Sequence, residues 1–213
     1  MNTSIAGDLP GRQDPVPRAY RPGITALIAA HPARFTSGLL NEAFGSITAQ
    51  TMQPDTIIVV NDLERAGAGR TRQKLLRMVE TEWLAWLDSD DHWYPNHLED
   101  LYRSAMETDA VYAYSWFDAP GDPLGHFGLP FNQCTPHHTT ITALVKTELL
   151  QEVGCADSQV DGRFSNEDWS MIAGIAKLAC ERGLKMTHLP KRTWYWRQQG
   201  QSTSGRPGQG DAA

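Results

Sequence analysis

Three apolar runs recur along the first half of the chain, and each stops at a polar residue. Ile24 to Ala30 closes at His31-Pro32, Ile57 to Val60 stops at Asn61-Asp62, and Trp83 to Leu87 ends at Asp88. Runs of this length, apolar at consecutive positions, suit strands buried on both faces. Between the first two, Phe35, Leu39, Leu40, Ala43, Phe44 and Ile47 recur at helical spacing, and Pro54 breaks the chain behind them. Between the second and third, a glycine-containing loop leads to Leu75, Leu76 and Val79 on a further helix. Strands separated by helices predict βαβ units, hence an α/β fold with a mostly parallel sheet.

Beyond Ser104 the pattern is less regular. Ala110–Trp116 and Thr139–Val145 read as strands, Trp169–Arg182 as a helix ended near Gly183, and Lys185–Leu189 and Thr193–Trp196 as short strands. Residues 1–22, with Pro10, Pro15, Pro17 and Pro22 and no apolar periodicity, read as a flexible tail, and residues 205–213 read the same way. That leaves one domain over residues 23–204, with no internal repeat. In open α/β sheets ligands bind beyond the carboxyl ends of the strands. Three strand ends offering His31, Asn61-Asp62 and Asp88 therefore predict one ligand cleft.

Composition narrows the picture. With 213 residues and a net charge of −6, the chain lacks the positive potential of a nucleic-acid-coating surface, although a local basic patch is compatible with it. Cys134, Cys155 and Cys180 are odd in number and widely spaced, which reads as reduced thiols. No run approaches the ~18 apolar residues of a membrane span, and Asp8, Pro10 and Asp14 stand where a signal peptide needs an apolar core. The expectation is a soluble, cytoplasmic protein.

The strongest chemical signal is a charge inversion. Arg65, Arg70, Arg72, Lys74 and Arg77 form a basic block around Gly67-Ala68-Gly69, and Glu80, Glu82, Asp88, Asp90, Asp91, Glu99 and Asp100 form an acidic one behind it. Glycines let backbone approach a ligand, and arginine matches phosphate oxygens with paired hydrogen bonds. Asp88-Ser89-Asp90-Asp91 follows an apolar strand directly, and clustered carboxylates suit Mg²⁺ or Mn²⁺ shared with substrate phosphates. The pair suggests a nucleoside diphosphate beside a divalent metal. The plainer reading makes the bases a solvated helix face and the acids caps of the next helix. Pro95 marks that helix start, which leaves Asp88 to Asp91 upstream of it.

Along residues 24–205 the chain resembles the family 2 inverting glycosyltransferases of GT-A fold, and among them the small single-domain members of actinobacteria and their phages. The resemblance rests on ITALIAAHP at 24–32, AQT at 49–51, IIVVND at 57–62, GAGRTR at 67–72, EWLAWLDSDD at 82–91, NEDW at 166–169 and TWYWRQQGQSTSG at 193–205. It implies a nucleotide-sugar pocket lined by Ala30, His31, Asp62, Gly69, Arg72, Asp88 and Ser89. Asp62 would meet the base or ribose, Arg72 the base or diphosphate, and Asp88 the ribose. Asp90 would be the direct metal ligand for Mn²⁺ or Mg²⁺. In the Glu167-Asp168 pair, Asp168 would be the general base.

One departure stands out. Related sequences place a histidine after the aromatic strand as a further metal ligand, whereas this chain has Arg197-Gln198-Gln199. Either Gln198 or Gln199 ligates the metal, or Arg197 partly replaces the cation. Read without the upstream motifs, Asn166, Glu167 and Asp168 are better taken as helix caps; with them, catalysis is the favoured reading.

The implied donor is a UDP-, GDP- or dTDP-sugar. The acceptor stays open among a glycan, a protein and a modified DNA base. A basic concentration at Arg182, Lys185, Lys191, Arg192, Arg197 and Arg206 suits either an anionic acceptor or plain solvation. Two competing readings are a sugar-phosphate nucleotidyltransferase, disfavoured because His31-Pro32-Ala33 replaces a glycine-rich basic loop, and a non-catalytic nucleotide-sugar or glycan-binding module. His137-His138 reads as structural or acceptor-side, most tryptophans as core, and Asp118 and Asp122 as solvated.

Overall fold

β1 (Arg21–Ala30) is apolar on both faces and lies between two parallel neighbours, β2 (Thr56–Asn61) and β3 (Thr81–Asp88). The structure, a computed structural model, describes residues 20–64, 66–119, 131–134, 142–155, 159–160, 163–164 and 167–197. Alternate side chains of β1 and β3 serve two cores, as the two-residue period of a strand requires. Ile24, Ala26, Ile28, Trp83, Ala85 and Leu87 pack on one side against α2 (Leu39–Thr48) and α4 (His97–Thr108). Leu27, Leu84 and Trp86 pack on the other against α3 (Ala68–Met78), α5 (Thr147–Val153) and α6 (Glu167–Arg182).

The sheet continues through β6 (Ala143–Lys146), β5 (Ala110–Asp118), β9 (Lys185–Tyr195) and β4 (His92–Trp93), in the order β2-β1-β3-β6-β5-β9-β4. The long pairings are parallel and the short ones, β3–β6, β5–β6 and β4–β9, antiparallel. A two-stranded ribbon, β7 (Gln159–Val160) with β8 (Arg163–Phe164), precedes α6. This is the expected α/β architecture.

Several details differ from the sequence reading. β1 starts at Arg21, so Arg21 and Pro22 are strand rather than tail. The helix expected around Phe35–Ile47 is split, because Gly38 at φ 79° separates α1 (Ala33–Thr36) from α2. A left-handed residue ends one helix before the next begins. The two short C-terminal strands are one strand, β9. Its register against β5 jumps between Ser115↔Leu189 and Trp116↔Arg192, so Pro190 and Lys191 form a bulge. Proline has no N–H for the ladder and is tolerated at such a bulge.

The cysteines overturn an expectation. Cys134 and Cys180 are disulfide-bonded, with Cα atoms 6.1 Å apart, leaving Cys155 free. Gln133 explains the approach. Its amide donates to the Leu184 carbonyl at 2.6 Å and accepts from the Met186 N–H at 3.0 Å, clamping the segment to the start of β9 beside the end of α6. The reduced-thiol reading relied on spacing, and a contact between residues 46 apart in sequence leaves no trace there. Among the described residues no helix is long and apolar enough to cross a membrane.

Candidate active site

Parallel register brings the strand ends level. Ala29 stands opposite Asp88 and Ala30 opposite Asn61, and the Asp62 N–H donates to the Ala30 carbonyl at 2.9 Å. The turn after β3 is closed by the Asp91 N–H on the Asp88 carbonyl at 3.1 Å, which projects three aspartates from one strand end. Ser89 is buried in that turn.

Arg72 connects this turn to α6. It lies in the first turns of α3, buried, and its two terminal nitrogens divide between different acids. Nη2 donates to Asp88 Oδ1 at 2.9 Å and Nη1 to Asp168 Oδ1 at 2.5 Å. Asp168, 96 positions away in sequence, thus faces Asp88 across a single guanidinium. Gly69 is buried one turn earlier on the same helix.

Two further arginines hold the remaining acids. Arg34 on α1 pairs with Asp90 Oδ2 at 2.8 Å. The Arg197 backbone N–H donates to Asp91 Oδ1 at 2.7 Å, its Nε donates to the Asp90 carbonyl at 3.0 Å, and its guanidinium pairs with Glu42. Arg197 reaches them because β4 pairs with the end of β9, Trp93 opposite Trp194. The charge is still lopsided. Burial, then Asp88, raises the Asp90 carboxyl above its ordinary value although Arg34 and Arg197 oppose the shift. Burial and Asp88 push the Asp91 carboxyl up as well.

Asp62 has partners within its own loop. Its two carboxylate oxygens accept the Ala66 and Gly67 N–H groups at 2.8 and 2.9 Å, so it shapes the loop that enters α3. Gly67 takes φ 95° there, a conformation that favours glycine. His31 is exposed, and its Nδ1 accepts the Ala33 N–H at 3.2 Å at the start of α1. Cys155 flanks the pair, since its thiol feels both Arg72 and Asp168, and burial pushes it up to about 11. A cavity of about 450 Å³ runs along another stripe of α6, lined by Trp169, Ala173, Ala176, Lys177 and both disulfide cysteines among others.

The structure therefore gathers Ala30, Asp62, Gly69, Arg72, Asp88, Ser89, Asp90 and Asp168 at one end of the sheet. Gln198, Gln199, Asn166, Arg65, His137 and His138 lie outside the described residues, as does the side chain of Glu167. Sequence reasoning missed Arg34, Glu42 and the part played by Asp91. Arg34 and Glu42 are surface-type charges on helices with no motif around them. Most tryptophans are core, as expected, with Trp83, Trp86 and Trp194 buried and Trp169 partly exposed.

The donor set fits a hard divalent cation, because crowded carboxylates whose proton affinity is raised by burial and then by the charge of Asp88 are what such an ion relieves. Among the described residues no three His, Cys, Asp or Glu side chains form a complete cage. An ion at Asp90 would share its coordination with phosphate and water.

The parallel-rich sheet flanked by helices, with its polar groups at the strand carboxyl ends, matches the GT-A fold of solved glycosyltransferases. Residues 63–156 match the family model for glycosyl transferase family 2. The succinoglycan biosynthesis protein ExoW of Rhizobium meliloti (strain 1021) is 24% identical over 143 residues, 54% of this chain and 44% of that protein. Residues 1–349 of S. aureus TarS superpose with a TM-score of 0.63 at 15% identity, covering 81% of this chain and 59% of theirs. A TarS structure with UDP-GlcNAc gives 0.63 at 15% identity over 83% of this chain and 58% of its own. The Pyrobaculum calidifontis mannosyltransferase PcManGT, with GDP-Man and Mn²⁺, gives 0.57 at 15% identity over 84% and 58%. The chain thus spans under half the length of ExoW and under two thirds of these structures.

Proposed function

We propose that the chain is an inverting glycosyltransferase that moves a sugar from a nucleoside-diphosphate donor to a hydroxyl acceptor. The observation that carries the reading is the Asp88–Arg72–Asp168 bridge, which sets a carboxylate at the start of α6 across from the acidic strand end. Support comes also from the family match over residues 63–156 and from neighbours crystallised with UDP-GlcNAc and GDP-Man.

In this reading Asp168 accepts the proton of the acceptor hydroxyl as that oxygen bonds to the anomeric carbon, and Glu167 lies beside it at the head of the helix. A single base opposite the leaving group gives one displacement and inverted configuration. Ala30, His31, Asp62, Gly69 and Ser89 form or shape the donor pocket, and Asp88 reaches the ribose. Arg72 meets the diphosphate, where arginine's planar fork fits phosphate oxygens. Asp90, with Gln199 as a candidate second ligand, would hold Mn²⁺ or Mg²⁺, and the bound ion would offset charge on the departing diphosphate. Arg34 and Arg197 already neutralise part of the acidic cluster. The acceptor is a glycan, a protein or a modified DNA base, the range of the actinobacterial and phage type.

A thermal-shift panel of UDP-, GDP-, dTDP- and ADP-sugars with and without Mn²⁺ tests the donor site. We expect one nucleotide series to stabilise the protein, more so with Mn²⁺. Donor turnover by Asp168→Asn should be abolished while donor binding persists. No stabilisation by any donor, or unchanged turnover in that variant, overturns the reading.

A further inference from the structure

We infer that Arg72 is a contested counter-ion, held by Asp168 in the donor-free protein and drawn off by the donor's diphosphate, so that the base is released only in a loaded site. The inference rests on the donor reading above and adds an order of events to it.

The geometry is that of a divided cation. Arginine's fork is built to meet one partner with two parallel hydrogen bonds. Here the two terminal nitrogens instead reach two acids from different elements, Asp88 on β3 and Asp168 on α6. The guanidinium is the fixed member, with 6% of its side chain exposed, whereas Asp168 and Asp88 are 29% and 33% exposed. The acids can exchange their contacts for water at modest cost, and a buried cation cannot go without an anion.

The bridge also bears on the chemistry proposed for Asp168. Its Oδ1 is engaged by Arg72 at 2.5 Å, and giving up that contact returns a second carboxylate oxygen to the acceptor side, where the hydroxyl proton is taken. A diphosphate beside α3 offers paired oxygens to the same fork and can replace the Asp168 contact. Arg72 is then a positioning residue, acting on the base through the contact it gives up. Asp168 is therefore fully available only after the diphosphate arrives.

Competition for one cation makes a prediction that a purely catalytic Asp168 does not. Removing the competitor should tighten binding of the diphosphate itself. UDP, GDP and dTDP, and the matching monophosphates, are titrated calorimetrically with Mn²⁺ into the full-length wild type, Asp168→Asn, Arg72→Gln and the double variant. For the nucleotide that the wild type binds, Asp168→Asn should tighten the diphosphate about tenfold, the scale of one charge-assisted hydrogen bond at the weak end of its range. The monophosphate should change much less. In the Arg72→Gln background the gain should vanish. Equal diphosphate affinity in wild type and Asp168→Asn overturns the inference, as does an equal gain for the monophosphate or a gain that survives without Arg72. If Arg72→Gln does not fold, the diphosphate-to-monophosphate contrast in Asp168→Asn alone decides. A wild type that binds none of these nucleotides overturns the donor reading and this inference with it, whereas binding without the predicted gain overturns this inference alone.

Discussion

His97 should make this protein acid-sensitive in a calculable way. It opens α4, is fully buried, and stacks on Trp93 with ring centroids 4.7 Å apart. Its Nδ1 shares a 2.6 Å hydrogen bond with Thr193 Oγ1, and Nε2 meets no partner among the described residues. Burial holds its pKa down at about 3, against 6.5 for a free histidine. A base whose pKa is depressed by folding leaves stability intact above the unfolded value. Stability is lost as pH falls below 6.5, since the unfolded chain takes up the proton first, and the loss levels off near the folded value of about 3. Each pH unit in that window is worth about 1.4 kcal/mol, so moving from pH 7 to pH 5 should cost roughly 2 kcal/mol from this residue. Urea unfolding of wild type and His97→Asn at pH 7, 6 and 5 isolates it. Asparagine can reach Thr193 but does not titrate, and its smaller volume adds a constant offset. The stability gap between the two proteins should narrow by about 2 kcal/mol as pH falls. Parallel pH profiles would refute the reasoning.

Other outcomes follow from the site and its surroundings. Asp90→Asn should weaken Mn²⁺ binding in the presence of the nucleotide by about tenfold or more, checked by calorimetric metal titration. Unfolded without reductant, the chain should show one reactive thiol, Cys155, and three after reduction, by thiol titration. In the native fold Cys155 should be nearly inert at pH 8, because burial holds the thiol protonated. Reduction of Cys134–Cys180 should lower stability by roughly 2–4 kcal/mol, read from chemical denaturation with and without reductant. Asp62→Ala should cost about 1–3 kcal/mol, since it strands the Ala66 and Gly67 N–H groups, and Asp62→Asn, which keeps one acceptor, should cost less.

What the sequence revealed follows from where each signal lies. β1, β2 and β3 were legible because apolar runs that end in polar residues leave few alternatives to buried parallel strands. The position of Asp88 and Asp90 at a strand end was legible for the same reason, since they follow such a run directly. β4 was not, because His92-Trp93 is too short to carry a period and exists only as the partner of β9. β9 was read as two strands because Pro190-Lys191-Arg192 looks like a loop, and its bulge is a tertiary accommodation to β5. Arg34, Glu42 and the Cys134–Cys180 bond depend on segments far apart in sequence, and no local pattern announces such contacts. Asp62 was placed correctly at a strand end, but only coordinates reveal that its oxygens bind its own loop.

The level strand ends carry a consequence for how this molecule can be altered. Asp88 and Asn61 hold their places opposite Ala29 and Ala30 only because β1 has a set number of residues ahead of them. One residue added or deleted inside β1 would shift one strand end by about 3.3 Å and turn its side chains to the opposite core. The strands therefore act as fixed-length rulers, and a length error in them is paid twice, in packing and in alignment. The loop from Asp62 to Gly67 carries no sheet register; among the described residues it is held by two hydrogen bonds to Asp62 and by the Glu64–Lys74 ion pair. On the donor reading proposed above, changes of nucleotide preference, natural or engineered, should accumulate there as loop exchanges, while the ruler strands vary only by substitution.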